Sequence, residues 1–249
     1  MNDSRIHIYG KHAVHDAILL RPDVVLRVYA SESSLTDAAR EMLTKRHIPI
    51  TLLNTAKLPQ GIPKDAVHQG CVAEIESERL VSDYDDFMRA CDVTNDTAFV
   101  VLGEVQDPHN VGAVIRSAAA FGIRAVLIPE HRQVQMTGTV IKVSVGAVFR
   151  IPMVRIANIN QTLIDLKKKG FWIYGLEGAG PHALHEEGFE KPSVLLLGNE
   201  SDGIRSKTRE HCDILLNIPT ATTIESLNAS VAAGIAFYAW SRKHPKVLM

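Results

Sequence analysis

Apolar positions along the chain fall into two regimes. Between Lys11 and Leu20 they sit at Val14, Ala17 and Ile18, the spacing of one helical face. Val24–Tyr29 is a short β-branched run and reads as a strand. Leu35, Ala38, Ala39, Met42 and Leu43 mark a second helix face, with Ser34 placed as its cap and Asp37 as the acidic partner. Ile48–Leu53 and Val67–Ile75 read as further strands. The stretch 76–97 interrupts the pattern. Glu76, Glu78, Asp83, Asp85 and Asp86 crowd it, which predicts a linker with one short helix around Asp83–Cys91.

From Ala98 onward the strands are uninterrupted apolar runs: Ala98–Leu102, Ala125–Ile128, Phe171–Leu176, Val194–Leu197 and Ile214–Ile218. Such runs suit strands buried on both faces of a parallel sheet. Helices alternate with them. Val111, Val114, Ile115, Ala118 and Phe121 define one that stops at Gly122. Ile159, Leu163 and Leu166 define another, ending in Lys167–Lys169 and Gly170, a favourable C-terminal charge and stop. Leu227, Val231, Ile235 and Tyr238 define the last, with Ser226 as candidate cap. The whole reads as α/β: a small N-terminal α/β domain over 1–76, a linker over 77–97, and a mostly parallel open-sheet domain over 98–249.

Composition adds limits. Apolar residues are 46% and charged residues 22%, a globular balance, and with aromatics at 6% the core must rest on Val, Ile, Leu and Ala. The net charge of −1 gives no global signature of nucleic-acid binding, so that reading must rest on local motifs. Three scattered cysteines and no bilayer-length apolar run predict a soluble cytoplasmic protein with reduced thiols and no membrane partner.

The chemistry-bearing residues gather where strands end, the place where open α/β sheets bind ligands. Asp107-Pro108-His109-Asn110-Val111-Gly112 follows the first long strand, with Asn110 placed as a helix cap and Arg116 about two turns further on at most. Leu197-Gly198-Asn199-Glu200-Ser201-Asp202-Gly203 follows another, where Gly198 allows close backbone approach to a ligand. Ile218-Pro219 ends a third and leads into Glu225-Ser226-Leu227-Asn228-Ala229-Ser230, with Asn228 surplus to capping if Ser226 is the cap. Ala229, Ser230, Ala232, Ala233, Gly234 and Ala236 make that last helix suited to close packing. Arg5, His7, Lys11, His12 and His15 form a modest basic cluster near the N-terminus. Gly175-Leu176-Glu177-Gly178-Ala179-Gly180 lacks the dinucleotide-binding spacing and reads as an incidental loop, and no Cys/His set has recognised metal spacing.

Taken together and in this order, the three strand-end segments resemble the motifs of the SpoU (TrmH-like) family of RNA ribose 2′-O-methyltransferases. The resembling stretches are Asp107–Phe121, Leu197–Ile204 and Ile218–Ile235, with Lys142–Ala147 a further family-like stretch. Tyr9–Val14 and Ala66–Gly70 resemble the small RNA-binding domain of RlmB-like members, which methylate a guanosine of 23S rRNA. Gly103 stands where the family often has Asp, Thr220 and Thr222 replace a common Met and Gly, and Ala229 a common Val.

The resemblance implies a C-terminal trefoil knot, a homodimer, and S-adenosyl-L-methionine as methyl donor. Gly198, Ile218 and Leu227 would line the donor pocket. Arg116, Asn110, Glu200, Ser226 and Asn228 would form the catalytic site, with no metal. Arg116 is either the base that takes the 2′-hydroxyl proton or, as suits an ordinarily charged guanidinium, the group that grips a phosphate and stabilises the oxyanion. The substrate is then RNA and not DNA. The runner-up readings are methylation of transfer RNA and a non-catalytic RNA-binding ribosome-assembly factor.

Overall fold

A computed structural model describes residues 4–103, 105–130, 136–199, 202–221 and 226–249. The chain runs β1 (Arg5–Tyr9), α1 (Lys11–Leu20), β2 (Val25–Ala30), α2 (Asp37–Lys45), β3 (Ile50–Leu52), β4 (Cys71–Glu76), β5 (Val81–Asp83) and α3 (Tyr84–Ala90). It continues through β6 (Ala98–Leu102), α4 (Pro108–Ala120), β7 (Ala125–Pro129), α5 (Gly138–Val143), β8 (Met153–Ile156) and α6 (Ile159–Lys168). The last elements are β9 (Trp172–Leu176), β10 (His182–Ala183), β11 (Ser193–Leu197), α7 (Ser206–Arg209), β12 (Ile214–Asn217) and α8 (Ala229–Lys243). The described residues of 1–81 and 135–150 form one compact unit, those of 82–134 and 151–249 another.

The first unit is a four-stranded sheet in the order β1-β4-β2-β3. β4 pairs antiparallel with both β1 and β2, and β2 pairs parallel with β3. The pleat sends Ile8, Ala73 and Val28 to one face, all buried, and α1 packs there against β1 and β4. Val14, Ala17 and Ile18 of α1 are fully buried, as the helical spacing predicts. The other face carries Tyr9, Val72 and Tyr29 in one cross-strand row, packed with Leu53 and Ile62.

Several local expectations are corrected here. Thr36 caps α2, its side chain accepting from the Ala39 amide, whereas the Ser34 hydroxyl donates to the Ser31 carbonyl. β4 starts at Cys71, not Val67, and β3 spans only three exposed residues. β1 was not anticipated. Residues 136–150 belong to this first unit: Lys142 Nζ lies 3.0 Å from Tyr9 Oη, and Arg150 forks onto Asp16 at 3.0 and 2.6 Å.

The second unit is built on an eight-stranded sheet, β10-β12-β9-β11-β6-β7-β8-β5. The pairs joining β10 through β8 are parallel. All five residues of β6 and all five of β11 are buried, which is why these strands read as unbroken apolar runs. On one face Phe99, Val101, Val194 and Leu196 join Leu163 and Leu166 of α6, and Phe99 stacks on Phe171 at 4.8 Å. Tyr84 and Phe87 of α3 seal that cluster. The alternate residues turn the other way, where α4 and α8 pack on each other and on β7 and β11.

The chain steps outward from β6 through β7 to β8. It then jumps to β9, returns to β11 beside β6, and leaves again to β12. The reversal point is the β6/β11 pair, so the crevice for a ligand opens beyond the carboxyl ends of these strands.

Candidate active site

At the reversal point two glycines let backbones meet. The Gly103 amide donates to the Leu197 carbonyl at 2.8 Å, and a Cβ on Gly103 would lie 2.1 Å from that oxygen. This fixes glycine at the position where the family often has aspartate. Gly198 is equally constrained: a Cβ there would lie 2.3 Å from the carbonyl carbon of Gly203. Asn199 and Gly203 exchange both backbone hydrogen bonds at 3.0 Å, which holds the Gly203 backbone against the strand end. The close approach that Gly198 permits is therefore made by its own loop. The cavity beneath, lined by Gly103, Leu197, Gly198, Asn199 and Ile204, is about 40 Å³, room for about one water and far below a nucleoside.

The two helix starts bring the first and third motifs together. α4 is capped by Asp107, whose side chain accepts from the His109 amide at 2.9 Å, with Pro108 at the first turn. Asn110 is therefore not the cap; it is buried inside the first turn. α8 is capped by Asn228 and not Ser226. Asn228 Oδ1 accepts from the Ser230 and Val231 amides at 2.9 and 3.3 Å and from the Ser230 hydroxyl at 2.6 Å. Its Nδ2 donates to Asn110 Oδ1 at 2.9 Å, across 118 residues of sequence. A residue read as surplus to capping is thus both cap and cross-link.

The other site residues are distributed around this pair. Arg116 is exposed on α4, six residues beyond Asn110, which is about 9 Å along the axis and about 240° around it. Ser226 is exposed; Leu227 and Ile218 are half-buried at the entry to α8 and the exit of β12. Glu200 lies outside the described residues.

Sequence reasoning passed over Asp107 and Asn217. Asn217 ends β12, and its Nδ2 donates to the Gly180 carbonyl at 2.6 Å. The Glu177 amide donates to the Leu216 carbonyl at 3.0 Å, and Arg209 Nε lies 3.2 Å from Glu177 Oε2. The loop read as incidental is thus pinned to the carboxyl end of β12. The run read as apolar over Ile214–Ile218 is broken by Asn217 itself, and that polar residue was the available signal.

Along their length α4 and α8 approach closely. A Cβ on Gly234 would sit 3.5 Å from Ser117 Oγ, and the Phe121 and Tyr238 rings are 5.7 Å apart. Between the helices runs an open groove of about 520 Å³, lined by Ala113, Ser117, Phe121, Val231, Gly234 and Tyr238. Val231 is 50% and Tyr238 52% exposed along this one groove. Among the described residues no group of three His, Cys, Asp or Glu is placed to hold a metal, and no helix is long and apolar enough to cross a membrane.

Comparison with known proteins matches this geometry to one family. Residues 97–238 match the SpoU rRNA Methylase family, and residues 7–81 match the RNA 2'-O ribose methyltransferase substrate binding family. The chain is 34% identical over 240 residues to the 23S rRNA (guanosine-2'-O-)-methyltransferase RlmB of Nitrosomonas europaea, covering 96% of this chain and 92% of that one. It is 33% identical to the putative TrmH family tRNA/rRNA methyltransferase YacO of Bacillus subtilis, covering 99% of each. Among solved structures, the SpoU methyltransferase AviRb of Streptomyces viridochromogenes in complex with AdoMet has a TM-score of 0.78 at 24% identity, covering 97% of this chain and 91% of that one. An AdoMet-bound rRNA methyltransferase of Sinorhizobium meliloti also has a TM-score of 0.78, at 22% identity over 96% and 87% of the two chains. A mostly parallel α/β sheet, two motifs joined at its crevice, and a match over more than half its length show that the chain belongs to the SpoU rRNA methylase family.

Proposed function

We propose that the protein transfers a methyl group from S-adenosyl-L-methionine to the 2′-hydroxyl of a guanosine in 23S rRNA, working in the cytoplasm as a homodimer. The observation that carries the reading is the Asn110–Asn228 hydrogen bond, which locks the starts of α4 and α8 together beside the crevice. Full-chain similarity to RlmB proteins supports the choice of 23S rRNA. The need for a 2′-hydroxyl excludes DNA.

When bound, the donor supplies an electrophilic sulfonium methyl group. The residues at the crevice suit it in kind. Ile218 and Leu227 offer half-buried aliphatic surface for an adenosine, and the strand-end backbone from Gly198 offers polar groups without a competing charge. Return of the chain from β12 to the start of α4 is consistent with a trefoil knot over the C-terminal part.

Arg116 grips the phosphate beside the target ribose through two N–H groups and stabilises negative charge as the 2′-oxygen loses its proton. Asn110, Asn228, Ser226 and Glu200 orient the ribose, so that much of the acceleration comes from position. A second copy covers the α4–α8 groove, taking Val231, Ile235 and Tyr238 out of water. Residues 1–76 together with 136–150 hold the RNA and the remainder of 98–249 carries the transfer, with 77–97 between them.

The test is methyl transfer to unmodified 23S rRNA followed by nucleoside mass spectrometry. The expected product is 2′-O-methylguanosine; a base-methylated product or none refutes the reading.

A further inference from the structure

We infer that the part of the β1-β4-β2 face left open beside the loop carrying Leu53 and Ile62 is a stacking platform for unpaired bases of the RNA substrate. The inference rests on the reading of the first unit as RNA-binding and deepens it by naming the face and the residues.

Register fixes the membership of that face. Tyr9, Val72 and Tyr29 form one cross-strand row, and His7, Glu74 and Arg27 form the next. α1 closes the opposite face, so only this one can meet a planar ligand. The His7 and Tyr29 rings lie 6.1 Å apart and tilted by 52°, while Tyr9 stands two strands from Tyr29, about 10 Å away. The loop carrying Leu53 and Ile62 half-buries both tyrosines, making them the wall at one end of an otherwise open surface.

Charge is arranged to match. Arg5 and Arg27 are exposed on the two outer strands of the patch, and Lys142 Nζ sits 5.0 Å over the Tyr9 ring and 3.0 Å from its hydroxyl. The acids lie on the central strand. Glu76 is engaged by Ser4 Oγ at 3.0 Å and Arg79 at 3.1 Å. Glu74 stands in register between His7 and Arg27. A carboxylate in the middle repels phosphate but accepts from an exocyclic base amine. Cations at the rims and an acceptor with rings between them suit a single strand laid with its backbone along the edges and its bases inward. A duplex buries its base faces and cannot use the rings.

The experiment uses the full chain with unmodified 23S rRNA. RNA binding is read by filter retention and turnover by labelled methyl. The double variant His7→Ala/Arg27→Ala is expected to raise both Kd and KM for RNA by about 5- to 150-fold. Its kcat at saturating RNA and its S-adenosyl-L-methionine affinity stay unchanged, and the salt dependence of binding becomes shallower. His7→Phe with Arg27 intact keeps the π-face and binds within about threefold of wild type. The control Lys45→Ala, exposed on α2, behaves as wild type. Ultraviolet cross-links should fall on the peptides holding Tyr9 and Tyr29. Unchanged RNA affinity in the double variant, or cross-links confined to α1 and α2, would overturn the inference. Wild-type binding without methyl transfer would instead sink the proposed reaction and leave this face to be judged by the same binding data.

Discussion

Aspartate and alanine at position 228 separate the two jobs of one side chain. Asn228 Oδ1 caps α8, and Nδ2 holds Asn110. Alanine removes both interactions. A lost cap costs about 1 kcal/mol, and a lost neutral hydrogen bond about 1 kcal/mol more. Aspartate keeps the acceptor for the Ser230 and Val231 amides and adds charge favoured at a helix N-terminus by about 0.3–1 kcal/mol. It removes the Nδ2 donor and sets a carboxylate oxygen against Asn110 Oδ1. The expected losses are about 2 kcal/mol for Asn228→Ala and about 0–1 kcal/mol for Asn228→Asp. At about 2–4 °C per kcal/mol for a chain of this size, the melting temperature falls by about 4–8 °C in the first and less than about 4 °C in the second. Circular dichroism melts without ligand measure this. Both variants should lose most methyl transfer, because the link between the starts of α4 and α8 is gone. Equal destabilisation by the two would refute the cap, and full activity in Asn228→Asp would refute the role of the cross-link.

Other substitutions test the remaining parts. Arg116→Ala, at an exposed position, should change stability by less than about 0.5 kcal/mol and leave S-adenosyl-L-methionine affinity intact while abolishing turnover; calorimetry and single-turnover assays check this pairing. Gly103→Ala forces a Cβ into the Leu197 carbonyl and should cost about 1–3 kcal/mol in urea melts, with a matching loss of soluble protein on heating. Burial pushes the Cys71 and Cys212 thiols up from 9 to about 11. The stability this provides is complete below pH 9 and is lost as pH rises toward 11, since the unfolded thiols ionise first. Urea midpoints at pH 8 and pH 10.5 should therefore fall with pH, and less so in Cys71→Ala/Cys212→Ala.

What the sequence made legible follows burial. β6 and β11 are buried on both faces, so composition alone marks them. β8 was hidden because exposed Arg155 interrupts a four-residue strand. β1 was hidden because its polar face carries Arg5 and His7, which read as part of a basic cluster rather than as a strand. Caps were misjudged three times, at Ser34, Asn110 and Ser226, and each true cap lies within three residues: Thr36, Asp107 and Asn228. Any Ser, Thr, Asp or Asn near a helix start can cap; the choice is settled by where the first amides point, which spacing does not encode. The same limit hid the Asn110–Asn228 bond, a tertiary contact between two locally ordinary residues. Gly198 was legible as a site of close approach, but not that the approaching group is the Gly203 backbone.

Methylation of a 23S rRNA ribose at the crevice joined by Asn110 and Asn228 is the proposed reaction. Its most direct test is transfer of labelled methyl from S-adenosyl-L-methionine to unmodified 23S rRNA and, separately, unmodified transfer RNA, with the product mapped by nuclease resistance of the modified linkage. Label is expected at one guanosine of 23S rRNA and is absent with Arg116→Ala. Label confined to transfer RNA would overturn the substrate, and no label in either RNA would contradict the reaction itself.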